Sequence, residues 1–134
     1  MLQNCFNELC SDFSDCILKI VKEIICKKLM FRKDDGHMAI LSIDVGGSSI
    51  KHAVIDIQGD IKVKGKVATP KTLAEFYDAL AAVKDNYAKE YELTGVGCSF
   101  PGAVDDAAGV INGSSAIDYI HEFPIRQELE ARLK

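Results

Sequence analysis

The chain has 134 residues, 48% hydrophobic and 27% charged, with a formal net charge of −4; this is the composition of an ordinary soluble protein with enough chain for one core. No basic block offers phosphate neutralisation, so nucleic acid is not an expected partner, and no apolar run reaches the roughly 18 residues that would span a membrane. Of five cysteines, Cys5, Cys10, Cys16 and Cys26 fall early and without zinc spacing; with no secretory signal, reduced thiols and a cytoplasmic location are expected.

Residues 1–38 read differently from the rest. Leu2, Phe6, Leu9, Phe13, Ile17, Ile20 and Ile24 recur at helical spacing and predict an amphipathic helix. Lys19, Lys22 and Glu23 interrupt its most apolar part, against a signal-peptide core. The segment is too short for a helix-turn-helix. Arg32-Lys33-Asp34 is encodable as a purine-rich ribosome-binding sequence and His37-Met38 as a cloning junction. Residues 1–38 are therefore expected to be an extension, non-native or upstream read-through, with the natural start at Met38.

From Ala39 the pattern is regular. A buried Ile-rich strand runs to about Val45, and a second from about Lys51 to Ile57 ends at Gln58-Gly59-Asp60. A third, Ile61 to Val67, alternates apolar residues with lysines, completing an antiparallel meander. Thr72 with Glu75 opens a helix as a capping box. Leu73, Phe76, Tyr77, Leu80, Val83, Tyr87 and Tyr91 line one side of it, and it is expected to end before Thr94-Gly95. Val96 to Phe100 reads as a short buried strand, Pro101-Gly102 as a turn and Gly109 to Asn112 as a brief strand. Phe123-Pro124 opens a last helix.

The chemistry gathers in two stretches. Asp44 ends the first strand and is followed by Gly46, Gly47, Ser48, Ser49 and Lys51. Glycines there allow φ > 0 and close approach of a ligand to the backbone, while turn N–H groups and hydroxyls donate to phosphate oxygens. A carboxylate beside phosphate makes sense when it faces a hydrated Mg²⁺. The competing reading is a plain hairpin turn capped by Asp44. The second stretch is Gly97-Cys98-Ser99-Phe100-Pro101-Gly102-Ala103-Val104-Asp105, followed by Gly109-Val110-Ile111.

Together these resemble two motifs of the ROK family of bacterial sugar kinases and repressors, in family order and from about Ala39 onward. The resemblance implies an α/β, RNase H-like fold: the N-terminal lobe of an actin-like ATPase, a mixed five-strand-type sheet with flanking helices. It implies an ATP-dependent sugar kinase using Mg²⁺, acting on a hexose, amino-sugar or glycoside hydroxyl, with a homodimer open for the complete enzyme. Asp44, Gly46, Gly47, Ser48, Ser49 and Lys51 would bind phosphate, with Asp44 holding Mg²⁺ through water. Gly102, Ala103 and Ser115 would border the sugar.

The family's catalytic Asp is expected beyond Lys134, so no catalytic residue is assigned and the chain alone is expected to be inactive. Asp105 is expected to cap its turn, and Asp106 and Asp118 do not match the catalytic context. Where glucokinases of the family carry a sugar-binding Asn, this sequence has Ala116, with Ser115 beside it. That predicts a substituted or amino sugar, or a glycoside, as substrate in preference to glucose. A sugar-responsive repressor fragment and a non-catalytic remnant are the alternatives.

Overall fold

The structure, a computed structural model, describes residues 38–134; the amphipathic helix expected over Leu2 to Ile24 lies outside the described residues. β1 (Met38–Val45), β2 (Ser49–Asp56) and β3 (Ile61–Ala68) form the expected antiparallel meander. Helix α1 (Leu73–Tyr87) then carries the chain across to β4 (Glu92–Ser99), which pairs parallel to β1 in a four-stranded sheet of order β3-β2-β1-β4. β5 (Ala103–Asp105) and β6 (Val110–Asn112) make a separate two-stranded hairpin. A 3₁₀ turn (Asp118–Ile120) and helix α2 (Ile125–Arg132) follow. The described residues thus supply four strands of the mixed sheet rather than five.

The core forms where one sheet face meets both helices. Ala39, Leu41, Ile43 and Val45 of β1, with Ile50 and Val54 of β2, pack in one cluster with Phe76 and Leu80 of α1 and Ile125 and Leu129 of α2. Each of these side chains other than Ala39 contributes about 1.5–3 kcal/mol by leaving water. Thr72 caps α1 as expected, its hydroxyl accepting from the Glu75 N–H at 3.3 Å. Cys98 of β4 is buried in the same cluster, and burial pushes its thiol up to about 12.

The start of β4 differs from the sequence reading. β4 begins at Glu92 rather than Val96, so Thr94-Gly95 lies inside a strand. The reason is a bulge: Ala39 pairs with Leu93 but Ile40 with Gly95, and the extra residue, Thr94, donates its hydroxyl to the Ala39 carbonyl at 3.2 Å. Pro124 stands at the N-cap of α2, where the sequence opens that helix.

Polar side chains fix β2 at its end and at its middle. Asp56 closes the β2–β3 turn, accepting from the N–H groups of Gln58 and Asp60 at 2.9 Å each and pairing with Lys62 at 2.7 Å. Burial alone would raise this carboxyl, but those three donors outweigh it and hold it below the ordinary value. His52 is buried, 2.9 Å from the Tyr87 hydroxyl, and its ring lies against Gly65, its cross-strand partner; a Cβ there would sit 2.5 Å from His52 Cε1. Burial lowers its pKa, so the neutral ring is the form that the fold holds.

Both groups give stability at neutral pH that acid removes, because each folded pKa lies below its unfolded one. The His52 contribution should fade as pH falls below about 6.5, and that of Asp56 below about 3.9. Asp56→Ala should cost about 1–3 kcal/mol in denaturant melts at pH 7. A parent-to-variant gap that stayed constant down to pH 2 would show that the charge of Asp56 contributes nothing.

Candidate functional site

Parallel pairing puts the C-terminal ends of β1 and β4 side by side, the usual place for ligands in sheets of this kind. Asp44, one residue from the end of β1, lies opposite Lys51 on β2 and Ser99 on β4. It is half-buried. Gly46 to Ser49 then turn the chain, with the Gly46 N–H donating to the Ser49 carbonyl at 3.0 Å.

This turn is clamped from β3. Thr69 donates its N–H to the Ser48 carbonyl at 3.1 Å and its hydroxyl to the Gly46 carbonyl at 2.6 Å. Two carbonyls are thereby tied down, whereas the N–H groups of Gly47 and Ser48 have no backbone acceptor among the described residues. Gly47 and Ser48 are exposed. The glycines are needed for room and not for φ: positive φ occurs at Gly59, Gly102, Gly109 and Gly113, not at Gly46 or Gly47. A Cβ on Gly46 would sit 2.8 Å from the Ser49 carbonyl oxygen, and one on Gly47 would sit 2.9 Å from the Ala116 Cβ.

The second stretch folds beside the first. Gly102 has φ +110, and a Cβ on it would meet Ile111 Cγ2 at 2.8 Å and His121 Cε1 at 2.9 Å, so only glycine closes this turn. Ala103 begins β5 opposite Asn112. Asp105 caps the hairpin as expected, accepting from the Ala108 N–H at 3.0 Å. Ser115 is engaged within its own loop: its hydroxyl accepts from the Ile117 N–H at 3.1 Å and lies 2.8 Å from His121 Nε2. His121 Nδ1 is 3.3 Å from the Ile111 carbonyl, which assigns the ring proton to Nδ1 and makes Nε2 the acceptor of the Ser115 O–H. Asp106 pairs with Arg126 at 3.2 Å, away from the turn.

The chemistry available is that of a phosphate cradle beside a polar pocket edge. The N–H groups of Gly47 and Ser48, the Ser48 and Ser49 hydroxyls and one half-buried carboxylate suit a phosphate chain neutralised by a hydrated divalent ion. Among the described residues no group of three or more His, Cys, Asp or Glu could cage a metal by itself. Two residues escape a sequence reading: Thr69, which reads only as a strand breaker before Pro70, and His121, whose role depends on contacts across the fold; the contact of Ala116 with Gly47 escapes it too. Tyr119 adds a further tie, its hydroxyl donating to the Pro70 carbonyl at 2.5 Å.

Residues 40–134 match the ROK family. The chain is 30% identical over 93 residues to a glucokinase of Streptomyces coelicolor, covering 69% of this chain and 29% of that protein. It therefore spans under a third of the curated relatives that it matches. Among solved structures, a ROK family protein from Streptococcus pneumoniae TIGR4, in complex with sucrose, is 38% identical with TM-score 0.58, over 71% of this chain and 32% of that one. A ROK family glucokinase from Streptomyces griseus, in complex with glucose and AMPPNP, is 32% identical with TM-score 0.63, over 71% of this chain and 30% of that one. The mixed sheet with flanking helices matches these neighbours, whose fold is that of the actin-like ATPases.

The contact between turn and loop is testable by a double-variant cycle. Gly47→Ala should lower stability, and adding Ala116→Gly should recover part of the loss, with a coupling of about 0.5–3 kcal/mol in denaturant melts. Strict additivity would mean that the two segments do not touch.

Proposed function

The chain belongs to the ROK family, and we propose that it carries the phosphate and sugar contacts of an ATP-dependent sugar kinase of that family. The observations that support this most are the shared register position of Asp44 and Ser99, which puts the starts of both motif loops at one sheet edge, and the approach of Ala116 to Gly47, 2.9 Å for a Cβ on Gly47. A kinase needs the donor phosphate and the acceptor hydroxyl held together, and positioning supplies much of its catalysis. The Streptomyces griseus neighbour was crystallised with a sugar and an ATP analogue together.

In this reading Gly46, Gly47, Ser48 and Ser49 receive the phosphate chain of ATP, with the N–H groups of Gly47 and Ser48 donating to its oxygens. Lys51 adds positive charge opposite Asp44. Asp44 holds Mg²⁺ through water; the ion, when bound, neutralises charge on the transferring phosphoryl group. Gly102 and Ala103 border the sugar through backbone groups. Ser115 acts there by holding its loop, since its hydroxyl already serves Ile117 and His121.

For the acceptor we favour a substituted or amino sugar, or a glycoside, over free glucose. Ala116 offers a methyl where an amide would reach a sugar hydroxyl, and losing a hydrogen bond of that kind relaxes discrimination. The Streptococcus pneumoniae neighbour was crystallised with sucrose, itself a glycoside.

An isotope-labelled sample of the chain, titrated with ATP and Mg²⁺ and then with sugars, tests the assignment by NMR. ATP should shift the amides of Gly46 to Lys51, and Asp44→Asn should remove the Mg²⁺ dependence of those shifts. N-acetylmannosamine, sucrose or a β-glucoside should move the amides of Gly102, Ala103 and Asn112 to Ala116 more than glucose does. Shifts confined to other surfaces would remove the assignment; glucose ranking first would remove only the substrate preference.

A further inference from the structure

The β5–β6 hairpin has an inner and an outer face. Val104 and Ile111 pair across it and pack into the core, where Ile111 is 1% exposed. Ala103 pairs with Asn112 on the opposite face, and both are exposed. Residues paired in this way hold their Cβ atoms about 4.5–5.5 Å apart, so the Asn112 side chain stands beside Ala103. It makes no hydrogen bond to the described residues.

The backbone on either side of this amide is pinned by one residue. Glu122 donates its N–H to the Ile111 carbonyl at 3.0 Å, in the peptide group before Asn112. Its Oε1 accepts from the Gly113 N–H at 3.2 Å, in the peptide group after it. Glu122 does this at φ 62, the one positive φ outside glycine among the described residues. A side chain is disfavoured in that region, and such strain persists where the surrounding contacts over-determine it. An exposed amide on a backbone held from both sides is a preorganised binding group.

Its neighbours belong to the acceptor side of the site. The Asn112 carbonyl oxygen lies 3.3 Å from where Gly102 would carry a Cβ, and four residues later Ala116 comes up against Gly47. The stretch from Asn112 to Ala116 thus runs from the Pro101-Gly102 turn to the phosphate turn. We propose that Asn112 is a specificity-determining residue, its side-chain amide donating to one polar substituent of the acceptor sugar and accepting from the next, and that Glu122 positions it. The inference rests on the kinase reading of the site. An amide carries both donors and an acceptor, which is what two adjacent substituents of a sugar ring require. The amide that residue 116 lacks is supplied four residues earlier.

The test is an NMR titration of the labelled full chain with N-acetylmannosamine. The side-chain NH₂ pair of Asn112 should shift and give NOEs to the sugar's ring protons. Asn112→Ala should raise Kd about two- to tenfold, the effect of losing a neutral hydrogen bond. Asn112 is exposed, so the variant should fold, which parent-like amide shifts in β1 to β4 report. Glu122→Ala should raise Kd in the parent and add little in the Asn112→Ala background. Glu122→Gln, whose amide oxygen still accepts from Gly113, should bind as the parent does. A silent Asn112 side chain while Gly102 and Ala103 respond, or an unchanged Kd for Asn112→Ala, would overturn the inference and leave the kinase reading standing. A Glu122→Ala loss as large without the Asn112 amide as with it would overturn the positioning role. No response to any sugar at Gly102, Ala103 or Asn112 would remove the kinase reading and this inference together.

Discussion

The parallel pairing of β1 with β4 is the constraint on which the rest depends. Asp44 and Ser99 are 55 residues apart in the chain yet occupy one register position. A parallel pair needs a crossover, and α1 supplies it by packing Phe76 and Leu80 onto the sheet face that Leu41 and Ile43 present. Because both strands run the same way, both end at the same rim. Each then releases a glycine-containing loop, and Ala116, farther along the chain after β6, comes up against Gly47 of the first. The site is thus a product of topology before it is a product of any particular side chain.

The meander, the capped helix and the two motifs were legible because each rests on local physics. Period-two alternation, a Thr-to-Glu capping spacing and glycine-rich turns leave their signatures within a few residues. The start of β4 was not legible, since Thr94-Gly95 looks like a helix terminator until the bulge against Ala39 and Ile40 is known. Nor was the reason for Gly46 and Gly47. Positive φ is the ordinary explanation for paired glycines, but here the neighbours Ser49 and Ala116 exclude a Cβ, and Ala116 is nearly seventy residues away. Ser115 gives the same lesson. Its hydroxyl looked available to a ligand, and its partner His121 was visible only as an isolated histidine.

Thr69 shows how a modest residue can set the state of a site. Its two hydrogen bonds take the Gly46 and Ser48 carbonyls out of play. What the turn then presents outward is weighted towards N–H groups, a local bias towards anions that comes from its own backbone. Asp44 opposes that bias, and the balance favours a phosphate chain that arrives with its own counterion.

Cys98 lies beneath this rim on β4, and it is the one cysteine of residues 38–134. With its thiol held near 12, almost no thiolate exists at physiological pH, and the sulfur is walled off from solvent. Peroxide and electrophiles therefore cannot reach it while β4 keeps its place. The sheet carries its own silent reporter: modification at Cys98 records how often the strand that joins the two loops comes away from β1.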